Sequence, residues 1–269
     1  MEFDDHASLL QVCIERLGEK AGRQFAAMAR RGFRLDPPAD DAQATGRCRL
    51  GGPALLELGA PWPEIGGFPL SLYAVLDTDA LAPWLGDELP MRPDLLNFFS
   101  LDLDVPYEEY RGLDIYGPEA CRVIPADPVR AVETVAPGPA KRYPATPVHA
   151  AQVIMLPDGY DVENSDVEFD RDKHSDATSL ILTEMGDLDS NTADKHCAFG
   201  WPDTSYRSSD EPRVTYRDAD GPEIHLLQLA EDERLGWRWC NAGTMYFTIP
   251  AKAFAAGDFT KARVEERCC

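Results

Sequence analysis

From residue 47 onward, prolines and glycines divide the chain into short apolar runs, and this pattern strongly limits the folds that the chain can adopt. The chain holds 22 prolines and 20 glycines in 269 residues. Neither residue suits the interior of a long helix, and clusters of them mark turns between strands. A mainly β fold with some α (α+β) is therefore expected. The apolar runs predict seven strands, at residues 70–76, 95–101, 121–124, 153–156, 224–229, 244–249 and 262–266.

Two helical intervals interrupt this series of strands. One lies somewhere within residues 175–185. The other spans 251–256, where Pro250 can begin a helix and Gly257 can end one. A Pro-rich connector near 134–148 crosses the middle of the strand-rich region.

The first 34 residues have a different pattern. Apolar residues recur at steps of three and four between residues 8 and 31, which is typical of a helix, and glycines at 18 and 22 allow a break. Arg30 and Arg31 followed by Gly32 predict its end. The chain is therefore divided into an N-terminal helical appendage (1–34), an extended linker (35–46) and a strand-rich domain (47–269).

The two halves of the strand-rich domain resemble each other. In the first, an apolar run at 69–77 is followed by another at 95–99; in the second, 223–231 is followed by 243–247. A Trp-Pro pair precedes each unit. This predicts an internal duplication of a two-strand unit, each copy burying an alternating face against the other. The alternative is that any two amphipathic strand pairs look alike.

The formal net charge of −21 comes from 47 acidic and 26 basic residues. Residues 1–34 hold five acids and six bases, so the remainder carries −22. Acidic residues are most frequent from 158 to 194. This stretch has twelve of them, and its only basic residues are Arg171 and Lys173. Such a field repels nucleic acid and attracts a basic protein partner. The alternative is an acidic surface that only keeps the protein soluble.

No apolar stretch has the roughly 18–20 residues that a membrane-spanning helix needs, and the N-terminus does not resemble a secretory signal. These features predict a cytoplasmic protein without a membrane partner. The seven cysteines show no metal-binding spacing and are expected to be free, mostly buried thiols. A redox pair at Cys268 and Cys269 is the alternative.

The sequence does not match the patterns that indicate catalysis or cofactor binding. Three acidic windows lack the Gly and Glu of a calcium loop, and no glycine loop has the spacing and Lys that hold phosphate. The five histidines include no i, i+4 pair for zinc, and no Gly-x-Ser-x-Gly is present. Cys197 follows His196, but neighbouring strand residues point to opposite faces. No cofactor, metal site or catalytic residue is therefore predicted, and a non-enzymatic role is favoured.

The C-terminal part carries four short motifs in a fixed order: HCAFGWPD at 196–203, IHLLQLAE at 224–231, LGWRWCNAGTMYF at 235–247, and the pair at 268–269. With the Leu-Gly-Gly-Pro at 50–53, they resemble YwqG-like proteins over about residues 47–269. That family has no established activity. The resemblance implies a roll of two related strand units, preceded here by the N-terminal helix.

Three positions depart from the pattern of that family. Cys197 and Tyr206 each stand where the family has Gln, and Asn241 stands where it has the Asp of WGDAG. Replacing that Asp with a neutral Asn would disable a metal ligand or a general base. A turn would tolerate the change. The departures therefore favour a structural role for this region, or a member that has altered an ancestral site.

In the fold that the resemblance implies, two loops that bracket the 224 strand can meet. The candidate ligand-binding residues in these loops are His196, Asp203, Trp237, Trp239 and Asn241. An imidazole, two large aromatic rings and short polar groups suit a small polar ligand or a peptide. In the alternative, the tryptophans fill the core, Asn241 lies in a turn and His196 is a satisfied core group.

Together these features predict a cytoplasmic acidic protein that binds a basic protein without catalysis, as a protective or inhibitor-type partner would. The alternative is a small-ligand binder, or an enzyme of unrecognised type, that uses the loops around His196, Asp203 and Trp239. A scaffold that dimerises through a sheet edge is a third possibility.

Overall fold

The computed structural model is built mainly of antiparallel sheets, with short helices between the strands. The predicted α+β class is therefore confirmed. The residues that it describes are 6–38, 43–89, 94–102, 104–115, 117–157, 174, 177–178, 180–181, 196–202, 222–239 and 243–267.

The larger sheet has six strands, and each neighbouring pair is antiparallel. In spatial order they are β11 (His149–Met155), β1 (Arg30–Asp36), β12 (His196–Phe199), β13 (Glu223–Ala230), β14 (Thr244–Pro250) and β15 (Arg263–Arg267).

The smaller sheet has five antiparallel strands. They are β10 (Thr146–Pro147), β2 (Arg49–Leu50), β6 (Ser71–Asp77), β7 (Leu95–Ser100) and β8 (Cys121–Ala126). Two further strand pairs are β3 (Ala54–Glu57) with β9 (Ala131–Thr134), and β4 (Glu64–Ile65) with β5 (Phe68–Pro69).

Five helices have bounds within the described residues: α1 (His6–Leu17), α2 (Glu19–Ala26), α3 (Thr78–Leu85), α4 (Tyr107–Tyr110) and α5 (Ala251–Ala256). Helix α5 confirms the prediction at 251–256, because Pro250 precedes it and Gly257 ends it with a left-handed φ of 70°. The described residues of the predicted helical interval 175–185, which are 177, 178, 180 and 181, are helical. Helix α3 was not predicted, although Asp77 caps it by accepting a hydrogen bond from the Ala80 amide at 3.3 Å.

All seven predicted strands are present, and the one predicted at 153–156 begins earlier, at His149.

The helix predicted for residues 8–31 is wrong in its second part. It ends at Ala26, and the strand β1 begins at Arg30 and runs through the first two residues of the predicted linker. Phe33 and Leu35 point into the core on either side of Arg34, which is the alternation of a strand. The first 36 residues thus contribute an interior strand to the larger sheet.

The two predicted strand units pair in the same register. In the first unit, Leu72 pairs with Phe99, and the register of β6 shifts before Ala74. In the second unit, His225 pairs with Thr248, and the register of β13 shifts before Leu227. A β-bulge at the same place in both units supports the predicted duplication.

The correspondence between the two units extends to the strands on either side of each predicted pair. Leu50 of β2 pairs with Ala74 of β6, as Ala198 of β12 pairs with the corresponding Leu227 of β13. On the other side, Phe99 pairs with Arg122 as Thr248 pairs with Arg263. The repeated unit therefore has at least four strands, which is larger than the predicted two.

The two units pack against each other as predicted, and their outer faces are buried as well. Every residue of β7 and β14 is buried. The reason is that each strand is covered on both sides. One core cluster contains residues of both sheets, and a second packs the other face of the smaller sheet against β3, β4 and β5. The first cluster includes Phe98 and Phe247, whose ring centroids lie 5.3 Å apart. These two residues hold corresponding positions in the two units, so the units contact each other through matching strands.

Candidate functional site

Trp237 is the centre of a group of aromatic side chains between the two units. It is fully buried, and its ring centroid lies 5.4 Å from that of Trp239, 5.5 Å from His196, 5.6 Å from Tyr73 and 5.9 Å from Tyr143. We call these five residues the aromatic cluster. Tyr73 and Tyr143 come from the first half of the chain, so the cluster joins both halves.

The loop after β13 positions the two tryptophans through its acidic residues. The Asp232 side chain accepts a hydrogen bond from the Arg234 amide at 2.8 Å, and the Asp232 carbonyl accepts one from the Trp237 amide at 3.0 Å. Gly236, between them, has a φ of 72°, which a residue with a side chain rarely adopts. Glu231 accepts a hydrogen bond from the Trp239 amide at 2.6 Å. This tight turn directs the Trp237 and Trp239 rings into the core.

Both nitrogens of His196 face partners in the fold. Nδ1 accepts a hydrogen bond from the Ala230 amide at 3.2 Å, so the proton of the neutral ring lies on Nε2, which faces Asp232 Oδ2 at 3.4 Å. Burial lowers the pKa of His196, and Asp232 opposes this effect only in part. Burial acts to raise the pKa of Asp232, but hydrogen bonds from Arg234 and His196 outweigh it and bring that pKa to about 2.

The first unit has a counterpart of His196. In the matched registers Cys48 holds the position of His196, and Asp77 holds that of Ala230. The Cys48 sulfur accepts a hydrogen bond from the Asp77 amide at 3.3 Å, just as His196 accepts one from Ala230. An acceptor at this position therefore satisfies the last amide of the central strand in both units, and this role does not require an imidazole.

Because the pKa of His196 is lowered in the folded protein, stability should depend on pH. Below about pH 6.5 the unfolded chain binds a proton that the folded protein excludes, so the free energy of unfolding should fall as the pH decreases towards the folded pKa. For one histidine the slope cannot exceed about 1.4 kcal/mol per pH unit. Urea denaturation between pH 7 and pH 5 measures it.

The variant His196→Asn keeps an acceptor near Nδ1 and removes the titration, so its slope should be shallower than that of the wild type. His149, which is exposed on β11, offers His149→Asn as the matched control for the loss of one histidine side chain. An equally steep slope in the His196 variant would assign the acid sensitivity to other groups.

The structure brings three of the five predicted ligand-binding residues together. His196, Trp237 and Trp239 are in contact through their rings and are at most 5% exposed. Asp203 and Asn241 lie outside the described residues. That these residues bind a ligand stays a prediction.

Sequence reasoning missed Tyr73, Tyr143 and Asp102. The Tyr143 hydroxyl donates a hydrogen bond to the buried Asp102 carboxylate, and the Asp104 amide donates another at 2.9 Å. Burial, and then the negative charge of Asp102, raise the pKa values of Tyr73 and Tyr143. The only sequence signal was a tyrosine in the middle of the apolar run of β6, where a purely apolar residue is the usual choice.

One polar atom of the aromatic cluster, the Trp237 indole Nε1, is buried without a hydrogen-bond partner among the described residues. Buried polar groups are almost always paired, so each such atom needs an explanation, and an absent ligand or water is one.

The described cysteines are free thiols, and Cys13, Cys48 and Cys121 are buried, as predicted. Burial raises the pKa to about 11 for Cys13 and to about 12 for Cys48 and Cys121. These three thiols therefore stay protonated at neutral pH and are poor nucleophiles. Cys268 and Cys269 lie outside the described residues.

Neither a metal cluster nor a membrane span is found in the part of the chain that the structure describes. No group of three or more His, Cys, Asp or Glu side chains there is arranged to hold a metal ion. None of the described helices combines the length and the apolar character needed to cross a membrane.

The described architecture defines the class of protein. It is a mixed α/β protein of two antiparallel sheets that share a core, with a buried aromatic cluster between two strand units of the same register. Residues 48–268 match the model of the family described as "Domain of unknown function (DUF1963)", and the chain belongs to that family. No curated protein matches the chain.

Proposed function

We propose that the protein is a cytoplasmic, non-enzymatic binding protein whose acidic surface engages a basic protein, as a protective or inhibitor-type partner would. The observation that carries this proposal is the net charge of −21. Charge of one sign attracts a protein of the opposite sign and raises the rate of association. We also propose that the chain is a YwqG-like protein. Because that family has no established activity, the resemblance does not indicate a particular chemical reaction.

The described residues offer one surface that suits such a partner. Between β7 and β8, residues 104–119 form an acidic segment in which Arg111 is the one basic residue. Tyr107 is 59% exposed there and packs edge-on against Tyr110, with 5.5 Å between the ring centroids. Tyrosines are enriched where proteins bind one another. The exposed acids of this segment are Asp104, Glu108, Glu109, Asp114 and Glu119. The densest acidic run, 158–194, lies almost entirely outside the described residues.

Charge neutralisation tests this proposal. The triple variant Glu108→Gln, Glu109→Gln, Glu119→Gln should weaken binding of a basic partner, captured from cell extract and then purified, by at least about tenfold at low salt, since each close ion pair at an interface contributes of the order of 1 kcal/mol or more. The measurement is the dissociation constant of the purified complex at several salt concentrations. Affinity should fall steadily as salt rises, because salt screens exposed charges.

A matched control separates position from total charge. Glu15, Glu64 and Glu233 are also exposed, so changing all three to Gln removes the same net charge elsewhere. This control should lose no more than about threefold in affinity. Recovery of no basic partner at low salt, or a captured complex that is unaffected by rising salt, would show that the proposal is wrong. Equal losses in both triple variants would reject the acidic segment as the binding surface.

One observation favours the alternative of a small-ligand binder around His196, Asp203 and Trp239. The Trp237 Nε1, which has no hydrogen-bond partner among the described residues, belongs to the same aromatic cluster as His196 and Trp239. A ligand with a hydrogen-bond acceptor would satisfy it.

A further inference from the structure

The strand pair of β3 and β9 carries most of the large apolar side chains that are exposed in the described part of the chain. Six such side chains are exposed among the described residues, and four of them belong to this pair and the residues that flank it. They are Leu58, Val129, Val132 and Val135. Large apolar groups that are exposed together commonly mark a surface that binds another protein.

The outer edge of β9 is open. The Leu55 amide and carbonyl both hydrogen-bond to the Asn97 side chain, so neither is directed at Glu133, the register partner of Leu55 on β9. In an antiparallel pair, the backbone groups of successive residues alternate between the two edges of a strand. The Glu133 amide and carbonyl therefore point away from β3, and no described strand lies on that side. A further strand can hydrogen-bond there.

The charges beside this edge favour a cationic strand. Glu133 is the only charged residue of β9, and its side chain is exposed. The Arg49 guanidinium lies 3.6 Å from the Glu133 carboxylate, but that arginine is largely buried. The exposed Arg130 is already bound by Asp127 and Glu57, at 2.9 Å each. The net charge of −21 further attracts a basic segment, and it disfavours a second copy of this chain.

We infer that an extended segment of a basic protein adds to the outer edge of β9 as a further strand. The Glu133 amide and carbonyl would hydrogen-bond to the backbone of this segment. Val132 and Glu133 lie on opposite faces of β9, so the matching segment has apolar and cationic residues in alternation. This inference rests on the proposed function for the basic character of the partner, and it adds the form in which the partner binds.

Calorimetric titration of the full-length protein with a capped peptide in which lysine and valine alternate tests the inference. One control peptide has the same side chains on an N-methylated backbone, which cannot donate hydrogen bonds to a strand. The other has glutamate in place of lysine. We expect the lysine–valine peptide to bind at least about tenfold more tightly than either control, because it alone has both the backbone donors and the positive charge.

Substitutions at the edge separate the backbone contribution from the charge. Glu133→Pro removes the outward amide but no hydrogen bond to β3, and proline is tolerated at such an edge. It should reduce the affinity for the lysine–valine peptide at least about tenfold, whereas Glu133→Gln, which keeps the amide, should reduce it about threefold. Val132→Ser should also reduce it about threefold. The control is Leu180→Ser, an exposed apolar residue beside the cluster of the N-terminal helices, with a change below about twofold.

Equal affinity for the lysine–valine peptide and its N-methylated form, or unchanged affinity in Glu133→Pro, overturns the inference. The N-methylated peptide needs no variant, so the test stays decisive if Glu133→Pro does not fold. Equal binding of the glutamate–valine peptide would reject a basic segment. Dimerisation of the protein alone that Glu133→Pro abolishes would identify a second copy as the occupant instead.

Failure of this edge and failure of the proposed function are distinguishable. A captured basic partner whose salt-dependent affinity is unchanged in Glu133→Pro would reject the edge and leave the proposed function standing. The triple Gln variant of the acidic segment leaves β9 intact, so it should bind the lysine–valine peptide with an affinity within about twofold of the wild type.

Discussion

Replacing Phe98 or Phe247 with alanine should lower the free energy of unfolding by about 3–5 kcal/mol, as expected for a fully buried phenylalanine. Both rings are 0% exposed, and they contact each other where the two strand units meet. Each substitution removes apolar contacts and leaves a cavity between sheets that are covered on both faces, where neighbouring strands cannot collapse to fill it. Urea denaturation followed by fluorescence measures the loss.

The double variant tests whether the two rings act as a pair. Because they share one contact, the combined loss should be smaller than the sum of the single losses by more than about 0.5 kcal/mol. Leu58 is 86% exposed, so Leu58→Ala is the matched control for losing apolar volume and should cost less than about 0.5 kcal/mol. Strict additivity of the two phenylalanine variants would show that the two rings do not act as a pair.

The second large effect is expected at Asn97, a fully buried polar residue of β7. Its side chain accepts a hydrogen bond from the Leu55 amide at 2.8 Å and donates to the Leu55 carbonyl at 2.8 Å and the Ile124 carbonyl at 3.1 Å. It thereby attaches β3 to the smaller sheet. Asn97→Leu leaves buried backbone groups unsatisfied, at about 1–3 kcal/mol each, so we expect a total loss of about 3 kcal/mol or more.

Ser100 provides the control on the same strand. It is also buried, but it makes one longer hydrogen bond, to the Ala120 carbonyl at 3.3 Å, so Ser100→Ala should cost about 1 kcal/mol. Hydrogen exchange gives a second measurement, because the Leu55 amide should lose protection in the Asn97 variant and keep it in the Ser100 variant. An unchanged Leu55 exchange rate would show that Asn97 does not hold β3 in place.

The sequence was sufficient to predict those elements whose ends are determined by the residues next to them in the chain. The seven strands follow from apolar runs between turn residues, and α5 follows from Pro250 and Gly257. Strand β1 was mistaken for the end of a helix because its identity depends on β11 and β12, which lie far away in the chain. A glycine after two arginines looks the same whether it ends a helix or lies inside a strand.

The candidate site shows the same limit. Trp237 and Trp239 were recognisable because large aromatic residues are rare and lie close together in one loop. Tyr73 and Asp102 were not, because they reach that loop only when the two sheets pack. Asp102 in particular stands near the exposed acids of residues 104–119, and no local feature distinguishes the buried carboxylate from those in solvent. The duplication was visible as similar apolar runs, but the shared bulge was not, since a bulge depends on the partner strand.

The position of β1 has a consequence for the growing chain. Its neighbours β11 and β12 are encoded more than a hundred residues downstream, so at about 5–20 residues per second β1 waits at least several seconds after its synthesis before it can pair. An unpaired strand with Phe33 and Leu35 on one side can join other chains. Arg30, Arg31 and Arg34 supply the kind of positive charge that discourages such pairing. These arginines are therefore expected to reduce such pairing while the larger sheet is still incomplete.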